Sequence, residues 1–298
     1  MNAFRNVLLA TLVVSSIGAV AIAQPDDEES LKMDALQALM SAPPERALPI
    51  VAKVLKGNGS DELKEHALFV LGQFDLPEAR ALLIETARTG DPHLRREAIR
   101  AIGIGGEPDA LKELGTIYTG GDRDTKEAVL EAYMIADYRK GVYDIAATTQ
   151  DPDEFEMAVE KLGAMGAKEE LRSLRDRPVA GEALIHAYAV SGDVESLTAL
   201  AMDGSNPERQ MQAMHGLGIA GGDKVGGVLL DVYRNSDSPD VKEAALQGLL
   251  IADDDEAVLE LYRASNNAEE KRELLQMLVN MDSDAVWSII DQTLEDKP

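Results

Sequence analysis

Eight residues in this sequence have the types and spacing for molecular recognition. Lys168, Arg172 and Arg175 recur at helical spacing and would lay a cationic stripe along one helix of an otherwise acidic chain. Tyr118, Tyr233 and Tyr262 fall late in their segments, and the last two sit in DVYRNS and ELYRAS, where Arg234 and Arg263 follow them. Tyrosine and arginine are frequent anchors at protein interfaces, so these eight form the candidate binding set. The same residue types also pack between helices and offset the negative C-terminal ends of helices, and the sequence leaves both roles open.

Catalytic and metal-binding patterns are not legible. The sequence has no Gly-x-Ser-x-Gly elbow, no His-Glu-x-x-His and no Gly-x-x-x-x-Gly-Lys. Its paired glycines (105–106, 120–121, 221–222, 226–227) sit where turns and helix starts are expected. The four histidines are far apart and lack ligand spacing. His186 and His215 share a register position with Arg100, Glu131 and Gln247, a polar column expected to face solvent; His66 aligns with Glu97, and His93 stands beside a helix cap. The acidic runs at 253–256 and 235–240 lack the alternating ligands, central glycine and distal glutamate of a helix–loop–helix calcium site. With no cysteine, thiolate chemistry, disulfides and a lipidated cysteine are excluded. No cofactor and no metal site is expected.

The elements that must position these residues follow one repeating unit of roughly 30 residues. LKEHALFVLGQFD (63–75), LRREAIRAIGIGG (94–106), TKEAVLEAYMIAD (125–137) and VKEAALQGLLIAD (241–253) align under one another. Asp91-Pro92, Asp151-Pro152, Asn206-Pro207 and Ser238-Pro239 each place a capping side chain before a proline suited to the first helical position. A small residue recurs in mid-helix at Ala67, Ala98, Ala158, Ala213 and Ala245, where helices can approach closely. Gly103, Gly105-Gly106, Gly166, Gly192, Gly221-Gly222 and Asp253 are read as left-handed helix ends. Second helices follow at 79–88, 109–118, 168–176, 194–202, 226–234 and 256–264. Such units bury their apolar faces only on one another, which predicts a stack rather than a globule.

The unit resembles the HEAT repeat, in the short HEAT-like form also found in phycobilin lyases. LRREAIRAIGIGG matches that pattern of Val/Leu-Arg/Lys-x-x-Ala followed by Leu-Gly-x-Ile-Gly, and MQAMHGLGIAGG nearly does. The resemblance covers residues 30–298 and implies an all-α fold, a right-handed α-solenoid (superhelix) of about nine HEAT-like helical hairpins. It further implies first helices outside and second helices lining the concave face.

Residues 1–23 read as a cleaved signal peptide, with Arg5, an apolar run over 7–21 and Ala21-Ile22-Ala23 before Gln24. Residues 24–30 read as a disordered acidic leader and 31–298 as the repeat array. The net charge of −25, from 54 acidic against 29 basic residues, disfavours nucleic acid and anionic lipid. It permits cationic proteins, polyamines or divalent ions as partners. No later stretch is apolar enough for a membrane span. These readings predict an exported, non-enzymatic scaffold, periplasmic or extracellular, holding another protein on its concave face. The alternatives are a lyase-like or other enzyme on the same solenoid, and a structural spacer in an envelope assembly.

Overall fold

The computed structural model describes residues 25–295 apart from 180 and 223. The expected signal peptide and its junction at Gln24 lie outside the described residues. Among the described residues there are eighteen helices and no strand, paired as nine hairpins. The first three are α1 (Pro25–Leu39) with α2 (Pro44–Leu55), α3 (Asp61–Gly72) with α4 (Pro77–Thr89), and α5 (Pro92–Gly105) with α6 (Pro108–Gly120). Next come α7 (Arg123–Ile135) with α8 (Arg139–Thr148), α9 (Pro152–Ala164) with α10 (Lys168–Ser173), and α11 (Glu182–Ser191) with α12 (Val194–Met202). The last are α13 (Pro207–Ala220) with α14 (Val225–Asn235), α15 (Pro239–Ile251) with α16 (Asp255–Ala264), and α17 (Ala268–Asn280) with α18 (Asp284–Leu294). The described residues form an all-helical solenoid of stacked hairpins.

Local chemistry sets both ends of the repeated helices. The Asp91 carboxylate accepts from the amides of His93 and Leu94 at 3.0 Å, and Asn206 accepts from Arg209 at 3.1 Å. Ser238 accepts from Val241 at 3.5 Å. Each satisfies an amide that the first turn leaves without a carbonyl. At the other end the chain turns through a left-handed residue, which is Gly106, Gly166, Gly192 or Gly221 in four hairpins. Aspartate takes the same position at Asp137 (φ 49°), Asp253 (φ 55°) and Asp282 (φ 54°). At Asp253 the geometry is a Schellman motif: its amide donates to Leu250 O at 3.2 Å, and the Asp254 amide donates to Leu249 O at 3.1 Å.

Three expectations need correction. Residues 25–30, read as a disordered leader, form the first turns of α1. Gly103 does not end its helix: α5 continues to Gly105 and turns at Gly106, while Gly103 is buried against α7. A Cβ on Gly103 would stand 2.7 Å from Ala132 Cα. The third correction concerns which row of helices is concave. Odd-numbered helices pack closely on one another through most of the array, with Ala67, Ala98, Ala158, Ala213 and Ala245 fully buried in that region. A Cβ on Gly218 would come within 2.7 Å of Gly248 O, which shows how near α13 lies to α15. Even-numbered helices touch their counterparts only sparsely. Two rows joined rung by rung can differ in spacing only if the array bends toward the closer row. The odd helices therefore line the concave side, the reverse of the expected order.

Between the rows runs one continuous apolar seam. Leu68, Ile99, Leu114, Leu130, Phe155 and Leu217 are fully buried in it, each contributing about 1.5–3 kcal/mol against exposure. Neighbouring hairpins are also tied by side chains: His93 bonds Glu65 between α5 and α3, and Lys126 reaches Glu154 at 2.5 Å between α7 and α9.

Candidate functional site

The inner row presents a repeating surface. Ile104, Ile135, Val190, Ile219 and Ile251 each stand two residues before the left-handed residue of their hairpin. They are apolar yet 43, 49, 48, 43 and 41% exposed. Ala164 fills the same register in α9, also exposed. One turn earlier on the same helix faces lies an exposed polar column of Arg100, Glu131, Glu160, His186, His215 and Gln247. A further turn earlier stand Glu127, Glu156, Glu182 and Glu243, all exposed, with the partly buried Met211 in that register of α13. From α7 to α15 the concave face thus has an apolar edge, a polar floor and an edge that is acidic except at Met211 of α13.

The face is indented in two places. Across α11, α13 and α15 a groove of about 410 Å³ is lined by Glu182, His186, Met211, His215, Ile219 and Glu243, among others. A shallower depression of about 260 Å³ lies across α3 and α5, bounded by Glu62, Glu65, Phe69, Glu97 and Ile104. Next to it the His66 Nε2 is buried without a hydrogen-bond partner. A larger cavity of about 570 Å³ opens near Tyr118, Tyr133 and Tyr138. Its polar groups bond one another, so it offers fewer free contacts: Glu154 accepts from Lys126, from Tyr118 Oη at 3.4 Å and from Thr149 at 3.1 Å.

The expected binding residues lie elsewhere, on the outer row. Tyr118 and Tyr233 are buried in the seams between hairpins, each under a lysine ammonium (Lys126 at 5.5 Å, Lys242 at 5.2 Å from the ring centre). The Tyr233 hydroxyl donates to Glu270 at 2.6 Å. Burial raises the pKa of both phenols, and their glutamate partners add to it. Tyr262 is half-buried beneath Lys271. Lys168 donates to Gly192 O at 2.9 Å, at the α11 C-terminus, and Arg234 pairs with Glu260 at 2.5 Å.

Arg172 grips Asp193 with two bonds of 2.7 and 2.5 Å, and that hydrogen bonding raises its pKa. Asp193 is buried, which by itself would raise its pKa, but bonds from Arg172 and Ser196 outweigh burial and hold it low. Arg175 and Arg263 are exposed. The predicted set therefore does not converge on one surface. Its tyrosines, Lys168, Arg172 and Arg234 join neighbouring hairpins, the packing role that the sequence left open.

None of these inner-row side chains belongs to the binding set expected from the sequence, where their polar column reads as solvent-facing. A signal was present in the aligned repeats, where isoleucine recurs at 104, 135 and 251 directly before the cap, although a solvent-facing column would be polar. The acidic runs serve caps: Asp254 accepts from the Ala257 amide at 3.0 Å at the start of α16. Among the described residues no group of three or more potential metal ligands is gathered, and no helix is long and apolar enough to cross a membrane.

These features define a helical-repeat solenoid with an acidic, apolar-edged inner groove. Residues 48–134 match the family profile described as HEAT repeats, and that stretch carries them. Among solved structures, human deoxyhypusine hydroxylase in complex with glycerol is similar at 17% identity over 91% of this chain and 93% of that one, with a TM-score of 0.30. The complex of CpcE and CpcF of phycocyanin lyase from Nostoc sp. is similar at 16% identity over 94% and 99%, with a TM-score of 0.27. No curated protein matches the sequence. Both structures bear the names of enzymes, so the expectation that this chain is not an enzyme is withdrawn. Likeness at this level assigns neither activity to it.

Proposed function

We propose that this protein is exported and holds another protein, one with a basic surface, along its concave face. The observation that carries the reading is the row of exposed isoleucine and valine side chains on the inner helices, flanked by glutamates. Apolar side chains aligned on one face favour covering by a partner. The acidic edge repels anionic surfaces and steers cationic ones toward the groove. Export rests on the N-terminal pattern of Arg5, the apolar run and the Ala21-Ile22-Ala23 junction.

Two measurements test the reading. The protein should be found in the host envelope or medium with an N-terminus at Gln24; its recovery from the cytoplasmic fraction with Met1 intact overturns export. Capture of host envelope proteins should differ between the native protein and an Ile219→Lys, Ile251→Lys variant, whose changes fall on exposed side chains. An identical captured set from both overturns the role of the concave face. Contacts confined to the ends of the array would support a spacer instead.

A further inference from the structure

The three inner-row columns also constrain the shape of what they hold. We infer that the groove across α7 to α15 accepts an extended, polyproline-II-like segment of a partner, with an apolar residue at every third position and lysine or arginine beside it. The inference deepens the proposed concave-face function and rests on it.

The argument is one of matching periods. Apolar side chains recur once per hairpin along the inner row, at Ile135, Ala164, Val190, Ile219 and Ile251. From α9 to α15 the inner helices pack on one another through alanine and glycine, which sets them about 8–10 Å apart, so the apolar edge repeats at that interval there; α7 packs less closely on α9. A polyproline-II segment returns to the same face every three residues at about 3.1 Å each, or about 9 Å. A β-strand returns every two residues, about 6.6 Å, and falls out of register after two hairpins. An α-helix lying across the row offers a face at about 5.4 Å per turn, which also fails to match.

The threefold face of such a segment suits a groove with two unlike walls. One face meets the isoleucine edge, and the next, turned by a third of a revolution, meets the opposite edge. That edge carries Glu127, Glu156, Glu182 and Glu243, all exposed. A basic side chain there meets opposite charge at every hairpin from α7 to α15 except that of α13, where Met211 offers an apolar contact, and the third face is left to solvent. Five inner helices span about 35–40 Å, which a polyproline-II segment covers with about twelve residues.

Labelled synthetic peptides of twelve residues test this by fluorescence anisotropy with the purified protein. The probe is a Leu-Lys-Pro repeat; the comparisons are an alternating Leu-Lys peptide, a Leu-Glu-Pro repeat and a helical peptide of equal charge. The Leu-Lys-Pro probe should bind at least tenfold more tightly than each comparison. Its affinity should fall at least tenfold in Ile219→Lys and in Glu243→Lys, while circular dichroism stays unchanged. Equal binding of the alternating or helical peptide, or indifference to both substitutions, overturns the inference. Failure of all peptides while the Ile219→Lys, Ile251→Lys variant still loses its captured partners sinks the extended segment and leaves concave-face binding standing. An identical captured set defeats the broader reading as well.

Discussion

Asp193 keeps its charge out of contact with water because α10 and α12 both supply donors to it. Arg172 on α10 donates twice, and the hydroxyl and amide of Ser196 donate at 2.7 and 3.3 Å from the first turn of α12, which Asp193 also caps. Its folded pKa lies below the ordinary value of about 3.9. The stabilisation is therefore fully present above that value and disappears as pH falls through the folded one. Asp193→Asn keeps the shape but removes the charge. Thermal melts at neutral pH should show a loss of about 1–3 kcal/mol, and the variant should lose less stability than the native protein between pH 5 and 3. Parallel acid profiles for the two would remove Asp193 from the pH response.

At the scale of the helix, close approach and turning are assigned to different small residues. Gly103 is held to glycine by packing, since a Cβ there meets Ala132 of α7 at 2.7 Å and lies inside the most tightly packed row. Gly103→Ala should cost about 1–3 kcal/mol by forcing α5 from α7, read as a lower urea midpoint. Asp253 is a matter of backbone angle alone: at φ 55° its side chain sits in a region that glycine enters without cost. Asp253→Gly should leave stability unchanged or raise it by up to about 1 kcal/mol, and a clear loss would mean that the carboxylate itself holds the turn.

The hairpin boundaries were legible because caps and turn residues are local: Asp91-Pro92 and Asp253 declare themselves without knowledge of any neighbour. The choice of concave row was not, because it depends on the spacing of helices one hairpin apart. The recurring alanines mark close approach, but only the sparse contact between even helices shows that the bend follows. Tyr118 and Tyr233 had to be located in three dimensions for the same reason. Their partners Glu154 and Glu270 lie three helices further on, beyond the reach of any spacing rule.

For the molecule as a whole, stability should follow the distribution of contact between hairpins, because each rests chiefly on its neighbours. The middle of the array is dense: α13 packs on both α11 and α15, and α15 buries Val241, Ala245, Leu246 and Leu249. The last hairpin is held more loosely. α17 buries Leu274 and Leu278, touches α16 and scarcely reaches α15. α18 buries Val286 but leaves Trp287 60% and Leu294 77% exposed. Opening α17 and α18 therefore uncovers little apolar surface and leaves the inner groove intact. In native-state hydrogen exchange, amides of residues 268–294 should exchange through local opening at a free energy well below that of α13 and α15, with a shallow dependence on denaturant. Truncating the exposed Trp287 to alanine should leave that pattern unchanged, whereas Val286→Ala should speed exchange in the last hairpin alone. Equal protection along the whole array, or a Val286→Ala effect that reaches α13, would show that the solenoid unfolds as one unit and that contact density does not set its local stability.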